Sequence, residues 1–394
     1  MKKKIAIITE RANIILGGAE RSIFELSMAL TGLGHNVEVL AASGQTRAKH
    51  IHILCNNESG KRVALKKFGS ILKKHIAKNN YDIVHSALPY DFADVYQPRG
   101  GTYPETIIQN ASSYQNKAVE IYKKVTAFAN LRRAGLYHAE KRLCRKPDGP
   151  VIATLSQYVA VQFKRHYKIN DDRLTVINNG VKIHIPDTSA ADKLRSQILS
   201  HLHLKEADNP VFFVFAAHNF RLKGLQCLLE ALSLANKKQC ERPIFLVVAG
   251  RGKTAKYRLL ARKFKVHKQV IFLGALRNIQ NALAITDVAV LPTFYDPASR
   301  FILEALAAGR CVITTKFNGA TDMFENQRHG IVIDSPENIQ ALAEALYYFS
   351  NTENINKACE NIKADNLADK ISIRNAAKKL NSLYDDIIAK RSNQ

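Results

Sequence analysis

The sequence predicts an α/β protein built from two doubly wound parallel-sheet domains that face a central cleft, and three observations predict it. Short apolar runs of strand type alternate with amphipathic helical stretches along the chain. The alternation fades after Lys182 and restarts at Val211. The chain has 394 residues, where one domain takes about 100 to 200. With 46% hydrophobic and 23% charged residues, the composition is that of a folded globular chain and excludes collagenous or tail-like readings.

In chain order, Ile5 to Thr9 reads as a first strand, followed by a glycine-bearing loop and a helical pattern to Leu30; Val37 to Leu40 reads as the second strand. Tyr81 to His85, Val151 to Thr154 and Leu174 to Ile177 continue the sheet, and Asn178-Asn179-Gly180 marks a turn that ends it. Residues 1–181 form the expected N-terminal domain, and residues 182–209, polar and holding Pro186, read as a linker. In the expected C-terminal domain, 210–370, strands are expected at Val211 to Phe215, Phe245 to Ala249, Val270 to Leu273, Val288 to Leu291 and Val312 to Thr315. Over 371–394, Ile373, Ala377, Leu380, Tyr384 and Ile387 recur at steps of four and three. That spacing predicts a helix docked on the body.

Charge and cysteine usage narrow the partners. Lys and Arg number 58 against 34 Asp and Glu, a formal charge of +24, so the partner surface is expected to be anionic. Six scattered cysteines without a C-x-x-C pair suit reduced thiols in the cytoplasm. The lysines at positions 2–4 resemble a signal n-region, but the apolar run behind them stops at Thr9 and Glu10, so no secretion is expected. The longest apolar stretch, Val211 to Ala217, is far short of the roughly 20 residues that span a bilayer; any membrane contact would be peripheral.

Three motifs carry chemistry. Gly17-Gly18-Ala19-Glu20 stands just before a helix whose amides and dipole attract anions, although a glycine pair also serves a tight turn. It is not the G-x-G-x-x-G of dinucleotide enzymes, and the second strand ends in Ala41-Ala42-Ser43 without an acidic ribose ligand, which disfavours a nicotinamide dehydrogenase. After the strand ending at Ala217, Arg221 and Lys223 place two cations at a strand's carboxyl end, where they can neutralise a leaving diphosphate or simply face water. From Leu291 to Gly309 a strand end, a proline-bearing loop and a helix start bring Asp296, Ser299 and Glu304 into one stretch. Ser299 suits an N-cap. The amides of Arg300, Phe301 and Ile302 would then be offered to a phosphate, and the carboxylates of Asp296 and Glu304 can accept from vicinal hydroxyls. Turn chemistry at Asp296-Pro297 is the plain alternative.

Together these motifs resemble glycosyltransferase family 4, retaining enzymes of the GT-B fold with two Rossmann-like domains, and within it the bacterial lipopolysaccharide core glycosyltransferases. The Leu303 to Gly309 run is its most specific piece. The resemblance implies a hexose moved from a nucleotide sugar, UDP-linked, to a lipid-linked or glycolipid acceptor, with residues 1–181 on the acceptor side and residues 210–370 binding the donor nucleotide. It assigns Gly17 and Gly18 to the donor diphosphate, Arg221 and Lys223 to its departure, and Asp296 and Glu304 to sugar and ribose hydroxyls. Asp296 stands where the family usually has Glu, which leaves the donor sugar open. No Asp-x-Asp triplet occurs, so no metal and no cofactor are expected. Arg99 and Thr102, beside a second glycine pair, are candidates for acceptor contacts.

Two basic clusters lie in the first domain. One runs through Lys61, Arg62, Lys66, Lys67, Lys73, Lys74 and Lys78 with Leu65, Phe68, Leu72 and Ile76 at helical steps. The other runs from Lys117 to Lys146 with Tyr122, Phe128 and Tyr137 interleaved. Either can meet the anionic inner face of the cytoplasmic membrane or be a solvated helix face. Two rivals stay open: a basic nucleic-acid-binding protein, which would leave the stretch from Asp296 to Glu304 without a purpose, and a nucleotide-sugar epimerase of similar architecture. The leading reading expects no nucleic-acid partner.

Overall fold

The computed structural model describes residues 2–13, 17–46, 48–55, 62–276 and 278–392; Lys61 of the first basic cluster lies outside them. The chain divides into two compact units. Unit 1 comprises Met1–Ala111, Asn116–Lys182 and Ile373–Gln394, and unit 2 comprises Ser112–Gln115 and Ile183–Ser372.

Unit 1 begins with β1 (Lys4–Ala12), α1 (Gly18–Gly32), β2 (Asn36–Gly44), β3 (Ile51–Ile53), α2 (Leu65–Asn79), β4 (Ile83–Ser86) and β5 (Val95–Tyr96). It continues with α3 (Tyr103–Ser112), α4 (Lys117–Val125), α5 (Leu131–Arg145), β6 (Val151–Thr154), α6 (Gln157–Tyr167) and β7 (Leu174–Val176). Its strands pair in parallel in the order β3-β2-β1-β4-β5-β6-β7. The order reverses between β1 and β4, the switch point of a doubly wound sheet. Apolar residues of β1, β2 and β4 are buried on both faces, as a helix-covered parallel sheet requires.

Unit 2 carries α7 (Thr188–Leu202), β8 (Val211–Ala216), α8 (Leu225–Ala235), β9 (Ile244–Ala249), α9 (Thr254–Lys263), β10 (Val270–Gly274), α10 (Ile279–Ile285) and β11 (Val288–Leu291). Then follow α11 (Arg300–Ala307), β12 (Cys311–Thr315), β13 (Gly330–Ile333), α12 (Ile339–Tyr348), α13 (Thr352–Ala364) and α14 (Leu367–Lys370). The sheet is parallel in the order β10-β9-β8-β11-β12-β13, with its switch point between β8 and β11.

The last helix, α15 (Ile373–Ser392), returns to unit 1. Ala377, Leu380 and Tyr384 enter the same core as Ile5, Ile7, Leu26 and Val37, and the Tyr384 hydroxyl meets buried His85 Nδ1 at 2.7 Å. Burial holds the His85 ring down to about 3, so it is neutral.

The polar stretch expected as a linker differs: it holds α7, capped by Asp187, whose carboxylate accepts from the Ala190 N–H at 3.1 Å. Ala191, Ile198 and Leu199 bury against Phe212, Phe245 and Val247. The apolar residues recur at helical steps, but the polar ones between them dilute the pattern.

Candidate active site

The carboxyl ends of β8 and β11 lie side by side because these strands pair, Val288 with Phe213 and Ala289 with Val214. Each strand releases one loop there. The loop after β8 carries Arg221 and Lys223 and turns at Gly224, which has φ +76° and whose absent Cβ would fall 1.9 Å from the Pro292 carbonyl oxygen. Only glycine lets the two loops approach so closely. The Leu222 carbonyl accepts from the Phe294 N–H at 2.9 Å, stitching them together.

This geometry brings Lys223 onto Asp296. Its ammonium donates to Asp296 Oδ2 and to the Tyr295 carbonyl, both at 2.7 Å, and the side chains are 18% and 16% exposed. The other Asp296 oxygen, Oδ1, accepts from the Ala298 N–H at 3.2 Å. The backbone on either side is fixed by Phe317 O and the Gly319 N–H, each at 2.9 Å. Asp296 therefore holds the loop in shape as well as balancing the cation.

Ser299 caps α11 as expected, but its hydroxyl accepts from the Ile302 N–H at 3.4 Å. That corrects the expectation for Ile302: an N-cap serine normally takes the amide three residues on, so this amide is already used. Phe301 and Ile302 send their side chains into the core. Arg300 Nη2 donates to Glu304 Oε1 at 3.0 Å across one helical turn, with side chains 10% and 7% exposed. A cation and a carboxylate so shielded gain strength from each other.

Arg221 leans the other way. Its guanidinium stacks 3.7 Å above the Tyr114 ring centre and donates to the Ser113 hydroxyl. Burial lowers it from its ordinary value, so it gains more than a solvated cation would on meeting an anion.

In unit 1, Gly17 precedes α1 and Gly18 begins it, at the carboxyl side of β1, where the first-turn amides gather. Arg99 is partly buried; its Nη1 donates to Ser22 Oγ at 3.2 Å, tying α1 to the loop after β7 through Asn179. Thr102 is a correction. It is 0% exposed and its hydroxyl donates to Gln162 Oε1, so it supports its loop from within and cannot touch an acceptor.

Three further residues that organise the surrounding structure carry little or no signal in the sequence. Buried Asn318 accepts from the N–H groups of Ser299 and Ala320 and donates to Thr314 Oγ1; its Asn-Gly pair just past β12 was the available signal. Tyr114 gave none, because nothing local links it to Arg221. Glu140 gave none either: fully buried, it accepts from Tyr96 Oη at 2.7 Å, Tyr167 Oη at 2.6 Å and the Tyr103 N–H at 2.9 Å. Burial pushes its carboxyl up to about 7, against the pull of those three donors.

Comparison with known proteins agrees with this architecture. The sequence pattern of the glycosyl transferases group 1 matches residues 199–366, and that of Glycosyltransferase Family 4 matches residues 16–184. The lipopolysaccharide glucosyltransferase WaaG of Escherichia coli is 21% identical over 339 residues, covering 84% of this chain and 85% of that protein. A crystal structure of WaaG, a glycosyltransferase involved in lipopolysaccharide biosynthesis, aligns with TM-score 0.74 at 19% identity, over 96% of this chain and 99% of that one. Anabaena Alr3699/HepE, solved in complex with UDP-glucose, aligns with TM-score 0.69 at 15% identity over 98% of this chain and 100% of its own. With one glycosyltransferase pattern on each side of residue 190 and a doubly wound sheet in each unit, the chain belongs to the family 4 glycosyltransferases of the GT-B fold.

Proposed function

We propose that the protein is a retaining hexosyltransferase, moving a sugar from a UDP-linked donor to a membrane-associated glycolipid such as a lipopolysaccharide core. The observation that carries the reading is the meeting of Lys223 and Asp296 at the switch point of the unit 2 sheet, where doubly wound sheets bind ligands. Two similar proteins support the substrates: WaaG is a lipopolysaccharide glucosyltransferase, and the HepE structure holds UDP-glucose.

Each residue then has a task. Lys223 spends two of its three N–H donors on Tyr295 and Asp296 and aims the third at the diphosphate. Arg221 adds a second cation, and together they meet the charge that builds on the leaving group. The first turn of α11, with Ser299, Arg300 and Phe301, lends its dipole to the same anion. Asp296 accepts from sugar hydroxyls through lone pairs not spent on Lys223 and Ala298, and Glu304 accepts from the ribose. Gly17 and Gly18 let the backbone approach the diphosphate. Arg99 remains the candidate for acceptor contact. The acceptor attacks from the face the diphosphate leaves, and a departing phosphate oxygen takes its proton. Two protein cations suffice for this charge, so EDTA is expected to leave the rate unchanged.

The two basic clusters separate in the structure. The apolar face of α2 is spent on the core through Phe68 and Leu72, leaving its lysines on a solvated face. In α4 and at the first residue of α5 apolar side chains stay outside: Val125 is 76% and Leu131 86% exposed, with Ile121 and Tyr122 also exposed in α4. At the end of α5, Lys141, Arg142, Arg145 and the capping Lys146 line a groove of about 450 Å³. We assign this α4–α5 surface to the anionic cytoplasmic leaflet, because apolar residues flanked by cations suit the headgroup boundary and each nearby cation adds about 1 kcal/mol.

The test is incubation with a panel of nucleotide sugars and labelled glycolipids. Nucleotide released only when acceptor is present is the expected result. Salt-sensitive DNA binding without turnover, or donor consumed without any acceptor, would overturn the reading in favour of one of its rivals.

A further inference from the structure

Four residues from the last residue of α3 into the turn before α4, Ser112–Gln115, leave their sequence neighbours and cluster with unit 2. Ser113 Oγ accepts from Arg221 Nη1, the Tyr114 ring lies under the Arg221 guanidinium at 3.7 Å, and Gln115 Oε1 accepts from Gln226 Nε2 in the first turn of α8. Two of the three converge on the side chain assigned to the leaving diphosphate.

We propose that Ser112–Gln115 is a strap that presets Arg221 for the donor diphosphate, with Tyr114 as the positioning residue; this rests on the functional reading above. An arginine side chain has several rotatable bonds, and fixing it when substrate arrives costs conformational entropy that prior stacking removes. Stacking uses the flat face of the guanidinium and none of its N–H donors. The Ser113 hydroxyl takes one donor and sets the rotation about the stack. Tyr114 acts through Arg221 and does not touch the donor.

Calorimetric titration of the full chain with UDP tests this, using Tyr114→Ala, Tyr114→Leu, Tyr114→Phe, Arg221→Ala and Tyr114→Ala/Arg221→Ala, with thermal melting as the folding control. Tyr114→Ala and Tyr114→Leu are expected to weaken UDP binding about tenfold, and Tyr114→Phe, which keeps the π face, to bind as wild type. In the Arg221→Ala background, Tyr114→Ala is expected to add nothing. The leucine variant keeps the bulk of the ring, so the question survives if the alanine variant folds poorly. Wild-type affinity in Tyr114→Leu, or a full additional loss in the double variant, would overturn the strap while leaving the functional reading intact. A wild-type chain that binds no UDP would overturn both.

Discussion

Replacing Lys223 with alanine separates a structural from a chemical role because the two predict losses of different size. In the folded protein the ammonium is within 2.7 Å of Asp296 Oδ2, and about four-fifths of each side chain is shielded from water. A charge-assisted hydrogen bond of this kind contributes about 1.5–3 kcal/mol to stability. Domains are stable by roughly 5–15 kcal/mol, so the variant stays folded at 25 °C, and Asp296→Ala should cost a similar amount. Turnover should fall further. Removing one preorganised donor from a developing anion costs about 10²- to 10³-fold in rate, which a loss of folded fraction from a few kcal/mol cannot produce. The assay is nucleotide release from UDP-sugar with acceptor present, read beside a denaturant titration of each single variant and of the double. A Lys223→Ala enzyme that loses stability but turns over within threefold of wild type would leave Lys223 as no more than the partner of Asp296.

Other perturbations read different parts of the molecule. Gly224→Ala would drive a Cβ onto the Pro292 carbonyl at a φ of +76°; a loss of roughly 2 kcal/mol or more in denaturant titration, with turnover falling alongside, is expected. For Glu140 the sign follows from its proton: the folded carboxyl holds it up to about 7, whereas the ordinary value is 4.5. Stability is therefore fullest below about 4.5 and declines as pH rises to about 7, by about 3 kcal/mol. Glu140→Gln should flatten that decline, and the difference between the two pH–stability curves isolates it. Val125→Asp with Leu131→Asp should abolish flotation with anionic liposomes and spare donor turnover in detergent, whereas neutralising Lys66, Lys67, Lys73 and Lys74 should change flotation little; the reverse pattern would move the membrane face to α2.

Much of the fold was legible because its central strands are uninterrupted apolar runs, as in β8 and β9, whose burial on both faces leaves no polar residue to confuse the period. β3 and β5, at three and two residues, are too short to carry a period. α7 was hidden by the polar residues between its buried positions. The places of Lys223 and Asp296 beyond strand ends and of Glu304 inside a helix were legible in the sequence. Their pairings were not, because Lys223 reaches Asp296 only once β8 and β11 are neighbours, a fact of topology. Thr102 was misjudged for a related reason: a threonine beside a glycine pair looks available until its packing against Gln162 is known.

In the proposed function the loops after β8 and β11 hold the donor's diphosphate. A crystal structure with an intact UDP-sugar would show it. Phosphate oxygens are expected within hydrogen-bond distance of Lys223 Nζ and the Arg221 guanidinium, with sugar hydroxyls on Asp296. A donor bound elsewhere on the chain, with the Lys223–Asp296 pair untouched, would contradict it.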